Sequence, residues 1–286
     1  MGSGRARRPG KTYTTLGPTT SPDFFSAPTN GGEQRPEHEH VGLMPRALRD
    51  LFAALEGKRA EAEKGREGSP GGKPTFEFRV TLTFLELYGE EVRDLLAPHS
   101  NRSSSAGATK IVIRDSAGDA EALGATSVPV STASQAMVVL TRGMLRRVTG
   151  ATAMNAESSR SHAIMSVQLE QVTRTAGGDE EEATVVRRSK YNFVDLAGSE
   201  RSKRTHAKGQ RLREGININK GLLVLGNVIA ALSAGDKFVP FRDSKLTRLL
   251  RGSLGGNHKV CCVTLLFACC DEGLRGLSLV LLPRRL

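Results

Sequence analysis

Apolar and polar residues alternate from Phe76 to Tyr88, with Phe76, Phe78, Val80, Leu82 and Phe84 on one side, and a period of two predicts a strand. An apolar run from Ala163 to Leu169, continuing to Val172, predicts a second strand. Val185–Val194 predicts a third, joined to it by the acidic loop Gly177–Glu182. Ile111–Arg114 and Ala125–Val130 are expected as two shorter strands. Three stretches carry the helical period instead. Leu43, Ala47, Leu48, Leu51, Phe52 and Leu55 share one side of Val41–Leu55, and Ala133, Met137, Leu140 and Met144 form a stripe on Ser131–Arg147. Apolar residues at 218, 222, 225, 229 and 232 give Gly215–Leu232 an amphipathic face.

Between these elements, residues 18–40, 56–74, 97–109 and 174–184 are rich in Pro, Gly, Ser or charge and are expected as loop insertions. At 286 residues the chain reads as one large domain. His38 and His40, inside Glu37-His38-Glu39-His40, are read as a solvated loop rather than a metal site, because no further ligands lie near them in sequence.

Charge changes the picture. The net charge of +11 favours acidic partners. Nucleic acid is the usual partner for such a balance, but aromatic residues are 5%, Trp is absent and no nucleic-acid motif is present. An acidic protein surface fits the charge equally well. The apolar run Val260–Cys270 is too short to span a bilayer, and Leu277–Leu282 is shorter still, so no membrane role is expected. The run holds the adjacent pairs Cys261-Cys262 and Cys269-Cys270, which lack the C-x₂-C spacing of zinc ligands and are expected as reduced cysteines of a buried strand.

The chemistry gathers around Tyr191-Asn192-Phe193-Val194-Asp195-Leu196-Ala197-Gly198-Ser199-Glu200, an apolar strand ending in an acid with a glycine three positions later. In nucleotide hydrolases an acid at such a strand end holds the Mg²⁺ shell, and the glycine lets a backbone N–H approach the γ-phosphate. D-x-x-G alone is most often a turn after a buried strand. Upstream, Asn155-Ala156-Glu157-Ser158-Ser159-Arg160-Ser161-His162 sets hydroxyls and an arginine at the mouth of another strand, where burial is costly unless something bonds to them. N-x-x-S-S-R-S-H followed by D-L-A-G-S-E-R resembles the two switch segments of a kinesin motor domain.

Other stretches carry the same resemblance. Gly10-Lys11-Thr12-Tyr13-Thr14 is similar to the end of a kinesin phosphate-binding loop, although the glycine that opens such a loop is Arg5 here, followed by Ala6, Arg7, Arg8 and Pro9. Glu86–Leu96 resembles E-x-Y-N-E-x-x-x-D-L-L, with Gly89 in place of Asn. Val239-Pro240-Phe241-Arg242-Asp243-Ser244-Lys245-Leu246-Thr247-Arg248-Leu249-Leu250 is similar to the family's microtubule-binding loop and helix, and Gly215–Leu232 to its relay helix. The resemblance spans about residues 10–270, and residues 211–223 are nearest to the chromokinesin-like class. After Cys270 neither the family's last helix nor its neck linker is recognisable.

The resemblance implies an α/β, P-loop NTPase-like motor fold, incomplete here, with a mixed central sheet and helices on both faces. It implies ATP and Mg²⁺ as cofactors, microtubules (tubulin) as partner, and a cytoplasmic, cytoskeletal location. Gly10, Lys11 and Thr12 would bind nucleotide, with Thr12 and Ser159 completing the Mg²⁺ shell and Asp195 holding it through water. Ser158 would lie beside the γ-phosphate, Gly198 would sense it, and Arg160 with Glu200 would close the two switches. Lys220, Arg242, Lys245 and Arg248 would face the microtubule. Oligomerisation would come from C-terminal regions outside this chain. The Arg5–Pro9 run implies weak ATP binding, because a phosphate nest needs successive inward N–H groups and Pro9 has none. A nucleotide-independent microtubule-binding module, or an unproductive truncated gene product, is the alternative.

Overall fold

The computed structural model describes residues 10–17, 41–64, 75–98, 111–116, 118–153, 160–175, 183–198, 210–256, 258–264 and 277–283. In chain order the elements are α1 (Gly10–Leu16), α2 (Leu43–Lys64), β1 (Thr75–Tyr88), β2 (Glu91–Asp94), β3 (Val112–Ser116), β4 (Asp119–Leu123), β5 (Val128–Val130) and α3 (Ala133–Ala153). They continue with β6 (Ser161–Thr175), β7 (Ala183–Asp195), α4 (Gln210–Ala234), a 3-10 turn (Phe241–Asp243), α5 (Lys245–Leu249), α6 (Arg251–Gly255), β8 (His258–Thr264) and β9 (Leu277–Pro283).

One sheet runs in the order β2-β1-β6-β7-β9-β8, with β5 also paired to β1, and β3 and β4 form a separate hairpin. Each ladder among the described strands is antiparallel, so the mixed pairing expected of the sheet is not seen among them. Both faces of the main sheet are covered, and the pleat sorts its residues between them. From β1, β6 and β7, Leu82, Phe84, Met165, Val167 and Phe193 join Met44, Leu48, Phe52, Leu140 and Met144 of α2 and α3. Leu87, Ile164 and Val194 point the other way, into a second core with Leu225 of α4 and Leu246, Leu249 and Leu250 around α5. Burial on both faces turns the alternating pattern of β1 into four consecutive buried residues, Phe84–Leu87. This is an α/β fold, with helices on both faces of the sheet.

Several boundaries differ from the sequence reading. Helix α2 runs on through residues 56–64, inside a segment expected as an insertion. Its last turns leave the core, so their polar composition marks a solvated helix, braced by Arg59 Nε to Glu63 Oε1 at 3.3 Å. Helix α3 starts two residues later than expected, with Thr132 Oγ1 accepting the Gln135 N–H at 3.2 Å, and extends to Ala153. The partner of β3 is β4, while the strand expected at Ala125–Val130 shortens to β5. On α4 the buried positions include Val224, Leu225, Val228 and Ala231, and Ile229, expected on that face, is 43% exposed.

Cys261 corrects the reading of core cysteines, because it is an exposed free thiol. The cause is position: β8 ends the sheet and pairs only with β9 among the described strands, so part of it faces solvent. The short apolar run near the C-terminus is strand β9. It lies between β7 and β8, with Asp195 opposite Ser278 in register.

Candidate functional site

Helix α1 is the first of the described elements and is held from its far end. Gly17 adopts φ +86°, a left-handed cap open to glycine, and its N–H donates to Tyr13 O at 2.7 Å. Gly42, just before α2, lies so close that a β-carbon there would overlap the backbone of Leu16 and Gly17. Replacing Gly42 with Ala is therefore expected to push α1 off α2 and destabilise the fold by at least about 2 kcal/mol, read from thermal melts. An unchanged melting point would show that the two helices can separate freely.

Strand β7 ends in Asp195, which is 1% exposed. Its Oδ2 accepts from Thr12 Oγ1 of α1 at 2.8 Å and from Arg147 Nη1 of α3 at 2.7 Å. Arg147 is itself 3% exposed. Its Nη2 donates to Ser161 O at 2.9 Å, and its Nε lies 3.9 Å from Glu86 Oε1. One guanidinium thus joins the carboxylates of β1 and β7 at the mouth of β6. Asp195 Oδ1 is buried without a hydrogen-bond partner among the described groups. An orphaned carboxylate oxygen beside a threonine hydroxyl is a hard oxygen donor set, and it suits a hydrated Mg²⁺.

The loop after β7 is anchored from the opposite face of the sheet. His162 is 2% exposed, and its Nδ1 accepts the Ala197 N–H at 3.0 Å, which places the proton of the neutral ring on Nε2. Gly198 follows, half-buried. Arg160 sits half-buried just before β6, and Gly10 and Lys11 open α1. Ser158, Ser159 and Glu200 lie outside the described residues, as does the side chain of Lys11. Thr12 and Asp195, named from sequence, are thus brought into direct contact. Arg147 and His162 were not named, although each left a signal. Arg147 continues the apolar stripe of Met137, Leu140 and Met144, where an unpaired charge would be costly, and His162 follows a strand-mouth serine.

A second surface forms around α4, the 3-10 turn and α5. Lys220 and Arg242 are exposed, whereas Lys245 and Arg248 are half-buried. Helix α5 is capped by Ser244, whose Oγ accepts the Thr247 N–H at 3.1 Å, and the Lys245 N–H donates to Glu90 Oε2 at 3.1 Å. Asp115 of β3 meets both arginines. Its Oδ2 accepts from Arg242 Nε at 3.1 Å and its Oδ1 from Arg248 Nη2 at 3.3 Å, while Arg248 Nη2 also donates to Ile113 O at 3.0 Å. Desolvation would raise the Asp115 carboxyl, but the charges and hydrogen bonds of Arg248 and Arg242 outweigh it and hold it below its ordinary 3.8. The stability this supplies is present above pH 3.8 and lost as pH falls through the lowered value. Among the described residues no helix is long and apolar enough to cross a membrane.

Residues 6–278 match the family model described as the kinesin motor domain. The chain is 42% identical over 264 residues to the chromosome-associated kinesin KIF4 of Mus musculus, covering 90% of this chain and 19% of that protein. It is 44% identical over 253 residues to the kinesin-like protein KIF21A of Homo sapiens, covering 81% of this chain and 14% of that one. The chain therefore spans less than a fifth of the length of these relatives. Among solved structures it is similar to a fast kinesin described for its ATPase mechanism and interactions with microtubules, with a TM-score of 0.61 and 32% identity over 85% of this chain and 57% of the other. With the strand-end carboxylate, the α1 threonine and the α4–α5 surface placed as above, the chain belongs to the kinesin motor domain family.

Proposed function

We propose that this chain is the microtubule-facing catalytic domain of a kinesin-type ATPase, acting in the cytoplasm on the cytoskeleton, and that its own hold on Mg·ATP is weak. The observation that carries the first half is the convergence of α1, α3 and β7 on Asp195, on the opposite side of the sheet from α4 and α5. In this reading Gly10, Lys11 and Thr12 would receive the phosphates, and Asp195 and Thr12, with Ser159, would hold the Mg²⁺. When bound, the ion neutralises charge on the phosphate oxygens. Arg147 fixes the carboxylate of Asp195, and His162 fixes the backbone that leads to Gly198. Ser158 and Gly198 flank the γ-phosphate, and Arg160 pairs with Glu200 when the two switch segments close. The weakness of the nucleotide hold rests on Arg5–Pro9, the residues that precede Gly10.

The filament side is tested by cosedimentation with polymerised tubulin. The chain is expected to pellet at low salt. Neutralising Arg242, Lys245 and Arg248 together should weaken binding by about tenfold or more, and added salt should reproduce the loss. Absence of pelleting at low salt would overturn the reading.

A further inference from the structure

Hairpin β3–β4 is fastened to the α5–α6 side of the molecule at two points. Lys190 Nζ of β7 reaches Asp119 Oδ2 at 2.9 Å, and Asp119 lies so close to Gly252 of α6 that a β-carbon there would overlap its carboxylate. At the other point Asp115 holds Arg242 and Arg248. The two arginines are not equivalent. The Arg248 side chain is 28% exposed, and its guanidinium bonds both Asp115 and the Ile113 carbonyl. The Arg242 side chain is 77% exposed and reaches Asp115 through Nε. An ion pair as exposed as the second is weak enough to exchange for another carboxylate, whereas the first is held by several bonds in a drier place.

We propose that Asp115 is an internal competitor on the filament surface. Its carboxylate occupies Arg242 until an acidic group of the microtubule replaces it, while Arg248 stays in place and keeps the hairpin against α5. The proposal rests on the microtubule reading above and deepens it. It assigns Arg242 to exchange, Arg248 to anchoring, and Asp115 to setting how much of the positive surface a partner can use. Releasing Arg242 costs the partner part of its binding energy, so removing the Asp115 charge should strengthen the encounter, and most strongly at low ionic strength.

Cosedimentation of the full chain, Asp115→Asn, Arg242→Ala and the double variant tests this. Asp115→Asn is expected to bind microtubules about two- to fivefold tighter at low salt, the size of one exposed pair, with the gain shrinking as salt rises. In the Arg242→Ala background the gain should vanish. Thermal melts should fall for Arg248→Met and stay unchanged for Arg242→Ala. In the unaltered protein, a Glu-rich peptide should shift the Nε–H resonance of Arg242 and leave that of Arg248 in place, a readout that does not depend on any variant folding. Equal or weaker microtubule binding by Asp115→Asn would overturn the proposal while leaving the filament reading intact, as would a peptide that shifts Arg248 and not Arg242. Failure of the parent chain to pellet would overturn both.

Discussion

Mg·ATP titrated calorimetrically into the 286-residue chain is expected to give no saturable heat at micromolar nucleotide, and phosphate release should be negligible with or without microtubules. The reason lies in five residues. A phosphate cradle is made of consecutive backbone N–H groups turned inward, which glycine permits and proline interrupts. Arg5-Ala6-Arg7-Arg8-Pro9 leads into Gly10, so Pro9 has no N–H to donate and the run contains none of the glycines that such a cradle uses. Each charge-assisted hydrogen bond lost to a phosphate costs about 1.5–3 kcal/mol, so two of them lower affinity by roughly two to four decades. Arg7 and Arg8 attract phosphate as point charges, which raises local concentration without fixing geometry. Thr12 and Asp195 are in contact, and if they hold Mg²⁺ as proposed, weak binding at millimolar nucleotide is expected to persist. A micromolar dissociation constant with steady phosphate release would show that the arginine run can replace a glycine loop.

Arg147→Met should lower the melting temperature by on the order of 10 °C. Methionine keeps most of the apolar stem of the side chain and removes its charge. What is left is Asp195 at 1% exposure and Glu86 at 8%, two buried carboxylates with their shared counter-charge gone. Removing one partner of a buried ion pair costs about 3–5 kcal/mol, because the other charge stays desolvated and unpaired. For a chain of this size each kcal/mol moves the midpoint by roughly 2–4 °C. Two controls separate this cause from lost packing. Arg147→Lys should recover part of the loss, and Asp195→Asn combined with Arg147→Met should cost less than the two changes added together. A melting point within a degree of the parent would mean that water or rearrangement compensates the carboxylates, and that Arg147 does not organise this site.

How far the sequence could be read depended on whether a residue's role was local. The long strands were legible because their apolar runs are buried on both faces. The motifs at the mouth of β6 and the end of β7 stood out because polar groups crowded at a strand mouth are costly unless something binds them. Thr12 and Asp195 were named from separate motifs, and the fold joins them across 183 positions. Arg147 was hidden for the opposite reason. A helix period assigns a face and not a partner, so an arginine on an apolar stripe looks like the end of the stripe until β7 and β1 are seen to supply carboxylates. The hairpin escaped in part because Asp119-Ala120-Glu121-Ala122-Leu123 has little strand propensity, and its pairing with β3 gives it an extended shape. Asp115 and Arg242 are 127 positions apart, and no local pattern could connect them. The face of α4 was read one step off because Ile229 fits the period as well as Val228 does, and only packing distinguishes them.

The place of β9 shapes how the molecule is made. The four residues of β7 that end in Asp195 pair with Leu281, Val280, Leu279 and Ser278, so the sheet closes through contacts between segments more than 80 residues apart. A ribosome delivers β7 long before it delivers β9. During that interval the edge of β7 is an open row of backbone donors and acceptors, and β8 has no neighbour to join. Pairing across so long a loop is slow compared with forming α2 or the β6–β7 hairpin, because the entropy of closure is lost before any contact repays it. The nascent chain therefore passes through a stage in which the Asp195 end of β7 is an exposed edge, open to mispairing until β9 at Leu277–Pro283 has emerged.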